Sequence, residues 1–189
     1  MKKTIWIVII AAIVIIAAWF WSSYNNLVKA NENVDGQWAQ VEAQYQRRFD
    51  LIPNLVNSVK GAMTQEQSVF NALAEARTRY SGAASVNEKA GAATEVESAL
   101  SRLLVIMENY PELKSMETVQ TLMAQLEGTE NRISVERGRF NDEVRSFNVM
   151  IKRFPTNTIA GMYGFSAKTY FEVAPAAANA PVVNLELTQ

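Results

Sequence analysis

The chain has 189 residues, a formal net charge of -1 and 20% charged residues. This near-neutral balance argues against a nucleic-acid-binding protein, which would carry a basic surplus, and against an acidic disordered tail. The absence of Cys and His excludes disulfides, a thiol nucleophile, and both the commonest general base and the commonest transition-metal ligand. The length allows one anchored domain with a hydrophobic core.

An uncharged apolar run lies near the start of the chain. Residues 5–21 contain no Gly and no Pro, and as a helix they span about 26 Å, the short end of what a bilayer requires. A buried soluble helix is disfavoured because the run is apolar on every side. A cleaved signal peptide is disfavoured because bulky aromatics stand where small residues are needed for cleavage. The predicted retained anchor includes Ile5, Trp6, Trp19, Phe20 and Trp21.

The flanking basic residues predict how this anchor is oriented. Lys2 and Lys3 precede the run, whereas Lys29 is the only basic residue between the run and Arg47. The positive-inside rule therefore places the N-terminus in the cytoplasm and the domain on the outer side of the membrane.

Helical periodicity dominates the rest of the chain. The first soluble helix continues the anchor to about Gly61, and Pro53 predicts a kink or a break near residues 51–52. Its near-heptad stripe predicts coiled-coil-like packing through Val34, Trp38, Val41, Tyr45, Phe49, Ile52, Val56 and Val59. Three further helices are expected at about 63–80, from an N-cap at Asn87 to 110, and at 115–153. Their apolar spacing predicts inward faces made by Met63, Val69, Phe70, Leu73, Ala76 and Tyr80 on the second helix, by Ala93, Val96, Leu100, Leu103, Leu104 and Met107 on the third, and by Val119, Leu122, Leu126, Ile133, Phe140, Val144, Phe147 and Ile151 on the fourth.

The remainder differs in composition. Gly161, Gly164 and Pro175 exclude a long helix, and the many aromatic residues after Arg153 predict a segment that packs back on the helices. Alternating apolar residues in 181–189 give a weak strand signal. That end is either an extended peptide that pairs with a partner or a frayed terminus, and fraying is favoured. The predicted organisation is a membrane anchor (1–24), a helical domain (25–173) and a flexible or extended tail (174–189).

Several motifs, in a specific order and spacing between about residues 24 and 171, resemble the LemA family. They include RRFDLIPNLV at 47–56, ENYPELK at 108–114, ENRI at 130–133, FND at 140–142, FPTN at 154–157 and GF at 164–165. The resemblance implies an N-terminal membrane helix and an all-α soluble domain of long antiparallel helices, with an irregular aromatic-rich C-terminal segment here. The residues carried by these motifs are Arg47, Arg48, Asp50, Pro53, Asn54, Glu130, Asn131, Arg132, Asn141, Asp142, Phe154, Pro155, Asn157, Gly164 and Phe165.

The biochemical role of that family is largely undefined, and one relative is associated with building magnetosome membranes. With the resemblance, the predicted location is the bacterial inner (cytoplasmic) membrane, which the chain crosses once.

The polar motif residues of the first and fourth helices form the densest polar group in the chain. They could line a binding groove, but interhelical salt bridges and amide hydrogen bonds that set helix register are the favoured interpretation. A specific hypothesis is that Arg47 or Arg48 pairs with a carboxylate of the fourth helix.

No pattern in the sequence indicates catalysis. The paired carboxylates Glu95 and Glu97 lie on a helix surface, where they are normally solvated, and no phosphate loop or dinucleotide fingerprint is present. We therefore expect no enzyme activity, cofactor, metal, nucleic acid or small-molecule substrate.

The predicted function is a membrane-anchored, self-associating helical scaffold in the bacterial cell envelope. Its expected partners are the lipid bilayer and either a second copy of the chain or another envelope protein. The alternative is a monomeric adaptor or accessory subunit that presents a surface or C-terminal peptide to an envelope partner such as a membrane protease.

Overall fold

The computed structural model describes residues 2–172 and contains only helices as regular secondary structure within that range. The all-α class and the apolar N-terminal helix are therefore confirmed. The tail at 174–189, predicted to be flexible or extended, lies outside the described residues. The helices in chain order are α1 (Lys2–Val59), α2 (Gln67–Gly82), α3 (Val86–Met107), α4 (Pro111–Lys114), α5 (Glu117–Lys152) and α6 (Thr156–Met162).

The chain divides into two compact units. Of the described residues, the anchor unit comprises 2–46 together with 130–170, and the second unit comprises 47–129 and 171–172. Both α1 and α5 contribute to each unit. The predicted boundaries after residues 24 and 173 stay predictions.

Helix α1 continues through Pro53 to Val59, so a break at residues 51–52 is wrong. A proline inside a helix costs about 3 kcal/mol, because one backbone hydrogen bond is lost and its ring crowds the preceding turn. Ile52 and Leu55 on either side are buried, and burying each such side chain contributes about 2 kcal/mol. Packing therefore outweighs the local cost and keeps the helix continuous.

In the anchor unit, α1 and α5 run antiparallel. The Trp38 ring lies 5.2 Å from the Phe140 ring, and nearer the anchor Met150 packs against the cluster around Leu27. The predicted stripes meet the core, because helical spacing places these side chains on one face of each helix. The buried members in this unit are Val34, Val41 and Tyr45 of α1 and Ile133, Phe140, Val144 and Phe147 of α5.

In the second unit, α2 packs against α3, and Phe49 of α1 meets Tyr80 edge to face at 4.6 Å. All of the residues predicted to face inward from the second helix are buried. Met63, which was expected to begin that helix, is buried in the turn before it. On α3 the predicted inward residues are buried except Leu104, which is half-buried.

The start of α3 corrects one prediction. Ser85, not Asn87, is the N-cap, and it forms a capping box with Glu88. The backbone N–H groups of Ser85 and Ala84 and the Ser85 hydroxyl bond the Glu88 carboxylate and hold its pKa below the ordinary value. The Ser-x-x-Glu spacing in the sequence is the signature of this motif.

The aromatic segment after α5 packs back only in part. Ile159 and Phe171 are buried and Phe165 is half-buried, which agrees with the prediction. Phe154 and Met162 are exposed, so the prediction is wrong for them.

Candidate membrane-contact site

The predicted anchor residues lie along the first part of α1. Ile5, Trp6, Trp19 and Trp21 are exposed, and Phe20 is half-buried. Among the described residues, α1 is the one helix long and apolar enough to cross a membrane, and its most apolar window is unburied. An apolar helix that the protein leaves uncovered is suited to lipid, and it indicates a membrane protein.

A cluster of aromatic rings surrounds the end of the apolar run. The Tyr163 ring lies 4.6 Å from that of Tyr24 and 6.2 Å from that of Phe20. Phe165 stands 6.3 Å from Tyr24 and 6.3 Å from Phe147. These tilted and edge-to-face ring pairs add to the stability that burial provides and hold the chain just after α6 against α1. We call these five residues the aromatic collar.

An aliphatic core lies just beyond the aromatic collar. Leu27 of α1 packs against Ile159 and Ala160 of α6, and all three are buried. Gly164 follows with φ of 75°, a left-handed conformation that costs glycine little and that turns the chain away after α6. The left-handed backbone conformation therefore explains why a glycine occupies position 164.

A buried amide fastens the segment after α6. The Asn148 side chain donates to the carbonyl oxygen of Lys168 at 2.9 Å and accepts from its N–H at 2.8 Å. The Lys168 Nζ lies 2.9 Å from Asp35 Oδ1 on α1, and Asn31 donates to the other oxygen of Asp35 at 3.1 Å. The segment is thus tied to both long helices of the anchor unit.

The predicted polar residues fall into both units. Arg47, Asp50 and Asn54 are exposed on α1, Pro53 is half-buried, and Arg48 is buried. The Asn54 amide donates to the carbonyl oxygen of Asp50 at 3.4 Å, one turn back on the same helix. These residues belong to the second unit.

The α5 members of the predicted polar set belong to the anchor unit. Glu130 and Asn141 are half-buried, whereas Asn131 and Arg132 are exposed. Asp142 pairs with Arg145 at 3.3 Å on its own helix. The hypothesis that Arg47 or Arg48 pairs with an α5 carboxylate stays a prediction.

The remaining motif residues surround α6. Phe154 is exposed, and Pro155, joined to it by a cis peptide bond, is the N-cap of α6. The backbone N–H of Asn157 donates to the Arg153 carbonyl oxygen at 2.8 Å. Gly164 and Phe165 follow the C-terminal end of α6.

Sequence reasoning missed a polar group between α1 and α5. Gln37 donates to Glu136 at 2.6 Å, Arg139 also contacts Glu136 at 2.8 Å, and Arg137 donates to the Tyr45 hydroxyl. These residues flank the apolar stripes, where polar side chains of facing helices meet. Their position beside the apolar stripes is the sequence feature from which these contacts could have been predicted.

Another polar group lies in the second unit, beside an open groove between α2 and α3. The Arg79 guanidinium contacts Glu75 at 2.6 Å and Glu95 at 3.0 Å, and the hydrogen bond with Glu75 is the main cause of its raised pKa. The groove measures about 520 Å³, and small residues, Ala72, Ala76, Gly91 and Ala99, line much of it. Glu95, weighed above as an acid or base, thus serves as a surface ion-pair partner.

No group of three or more acidic side chains within residues 3–172 is arranged to hold a metal ion. The contacts described above hold helices together, and the first part of α1 presents apolar surface.

A comparison with protein families decides the identity. The model of the LemA family matches residues 37–185, most of the chain. The chain belongs to the LemA family. This confirms the resemblance seen in the sequence motifs. The matched part includes Asn148 and the segment around Lys168 that Asn148 holds.

Named relatives of this LemA-family protein are magnetosome proteins. It is 26% identical to Magnetosome protein MamQ 2 of Paramagnetospirillum magneticum over 192 residues, covering 88% of this chain and 70% of the relative. Magnetosome protein MamQ of Magnetospirillum gryphiswaldense is 27% identical over 193 residues, with the same shares covered.

Proposed function

We propose that this LemA-family protein is a non-enzymatic structural protein of a bacterial envelope membrane, which holds a helical domain at the bilayer surface. One observation carries the proposal: α1 passes without interruption from the apolar run into the core of the anchor unit. The exposed Trp19 and the buried Leu27 belong to the same helix. The anchor is therefore part of the fold and not a flexible tether.

The relatives and the chemistry of the side chains also support this proposal. The relatives are named magnetosome proteins, and by analogy we propose a role in organising a membrane. The chain has no His or Cys, and the carboxylate of Glu95, on the surface of α3, is engaged by Arg79. These features favour a structural role over acid-base or nucleophilic chemistry.

Two forms of the proposal differ in the number of chains. A scaffold of several copies would bury its helical stripes against a second copy, whereas a monomeric adaptor would bury them within one chain. A single chain already buries Val34 and Val41 of α1 and Val144 of α5. This favours the adaptor, with another envelope protein as its partner, over the self-associating scaffold.

The mass of the full chain in detergent tests this choice. Light scattering on a sizing column, with the bound detergent subtracted, should return a protein mass near 21.1 kDa at every protein concentration. A defined multimer that persists when detergent is added in excess would favour the scaffold. Two chains that merely share one micelle would also give a doubled mass, but they would separate on dilution into more detergent.

We also propose the inner membrane as the location, with the N-terminus in the cytoplasm. Lys2 and Lys3 before the anchor support this side. Because the chain has no Cys, a single cysteine reports its own accessibility. An impermeant maleimide should label Met116→Cys, at an exposed position, in cells with a permeabilised outer membrane, and Thr4→Cys, which keeps both lysines, only after lysis. The reverse pattern would place the domain in the cytoplasm.

A further inference from the structure

An unusual apolar surface lies at the two ends of α6. Phe154, just before the helix, is 84% exposed, and at its other end Met162 is 68% and Tyr163 53% exposed. Neighbouring exposed apolar side chains such as Met162 and Tyr163 generally mark an interaction site, because water contact there is unfavourable. In the anchor unit outside α1, the other exposed large apolar residues are Val135 and Val149, which stand singly on α5.

The contacts of α6 place this surface at the end of the apolar run. Tyr163 touches Phe20, the residue before the last of that run, at a ring distance of 6.2 Å. At the other end of α6, Thr156 lines one groove with Ser23 and Asn26 of α1. Helix α6 therefore lies beside the stretch of α1 that follows the apolar run.

The register of the two long helices gives the level of Phe154. Trp38 of α1 faces Phe140 of α5, and Met150 packs at the level of Leu27. The two helices are antiparallel, so each residue forward along α1 corresponds to about one residue back along α5. By this register Lys152, the last residue of α5, lies level with about residue 25 of α1, roughly 6 Å along the axis from Trp21, and Phe154 follows two residues later. Both ends of α6 thus stand where the hydrocarbon of a bilayer gives way to headgroups.

Charge in the same region is of one sign. Residues 144–171 contain no Asp or Glu, and neither do residues 2–31, although the whole chain carries a net charge of -1. Lys152 and Arg153 immediately precede Phe154, both are exposed, and Lys29 is exposed on the facing part of α1. Basic residues beside exposed apolar side chains are the composition of surfaces that bind anionic lipid.

We propose that residues 152–163 form a second membrane contact, which inserts Phe154, Met162 and Tyr163 into the headgroup region of an anionic bilayer. The occupant is lipid, because the surface is continuous with the anchor helix and its charge complements anionic headgroups. This contact would hold the domain close to the bilayer and limit its tilt. It rests on the anchor half of the proposed function and is independent of the number of chains.

Single-cysteine variants of the full chain test the proposal in vesicles. An environment-sensitive fluorophore is attached to Phe154→Cys or Met162→Cys, and the protein is reconstituted into phosphatidylcholine with about a quarter phosphatidylglycerol. Val135→Cys is the matched control, since that side chain is 52% exposed in the same unit and lies, by the register, about 30 Å beyond Trp21. Lipids that carry a quencher at the headgroup level should quench most of the fluorescence at 154 and 162 and leave that at 135 unchanged.

Each outcome decides the proposal. Emission at 154 and 162 that matches the control, with no quenching, would overturn it. Blue-shifted emission without quenching would also overturn it, because the surface would then be covered by protein. In a Lys152→Gln, Arg153→Gln background, quenching should fall in vesicles with phosphatidylglycerol and stay the same in pure phosphatidylcholine. If the protein with Lys152 and Arg153 intact were quenched equally in vesicles with and without phosphatidylglycerol, the proposed preference for anionic lipid would be wrong. Alkaline-wash retention of the same variants reports the anchor itself, so failure of the second contact and failure of the anchor are distinguishable.

Discussion

Replacing Asn148 by Leu should release the segment after α6 and lower its local free energy of unfolding by about 2–3 kcal/mol. The side chain is buried and makes both hydrogen bonds to the backbone of Lys168. Leu retains most of the volume but can neither donate nor accept, so one N–H and one carbonyl group lose their partners. This loss should raise the population of the opened segment by roughly thirty- to a hundred-and-fiftyfold.

Limited trypsin digestion of the full chain in detergent measures this opening, because Lys168 is itself a cleavage site. The rate of cleavage after Lys168, followed by mass spectrometry, should rise in Asn148→Leu. Asn131→Leu is the matched control, since Asn131 is exposed on the same helix and its loss should change stability by less than about 0.5 kcal/mol. Equal cleavage rates in the two variants would show that the amide does not hold the segment.

The faces of the long helices could be predicted from the sequence because their periodicity is local. The stripe of α2, for example, follows from apolar residues three and four positions apart, and Val69, Leu73 and Tyr80 are buried as expected. Local rules failed where tertiary packing was stronger, as at Pro53, where buried neighbours keep α1 intact. The missed N-cap at Ser85 is different, because its capping-box spacing was visible in the sequence.

The surroundings of α6 could not be predicted in the same way. Tyr163 meets Tyr24, and Asn148 bonds Lys168, through contacts between residues that are not related by helical periodicity. Aromatic content alone therefore predicted a segment that packs back, but it could not separate buried Ile159 from exposed Phe154. That distinction depends on how α6 and the turn before it pack against α1, and it is the observation from which the second membrane contact is inferred.

Replacing Ile13 by Arg should abolish stable retention in the membrane. Ile13 lies at the middle of the apolar run 5–21, and an Arg at the centre of a membrane helix costs about 3 kcal/mol. The run is at the short end of what a bilayer requires, so its sequence has little surplus with which to offset that cost. Since Ile13 is exposed in the structure, the substitution should leave the helical domain folded.

Extraction of membranes with alkaline carbonate measures this effect, because it strips peripheral proteins and leaves helices that span the bilayer. Wild-type protein and Ile13→Leu should remain in the pellet, whereas Ile13→Arg should move to the supernatant. Ala39→Arg adds the same charge at an exposed position of α1 beyond the apolar run and should stay in the pellet. If Ile13→Arg also stays, the run does not provide the anchor, and the surface around α6 would have to supply the attachment, which interfacial contacts do less firmly than a spanning helix.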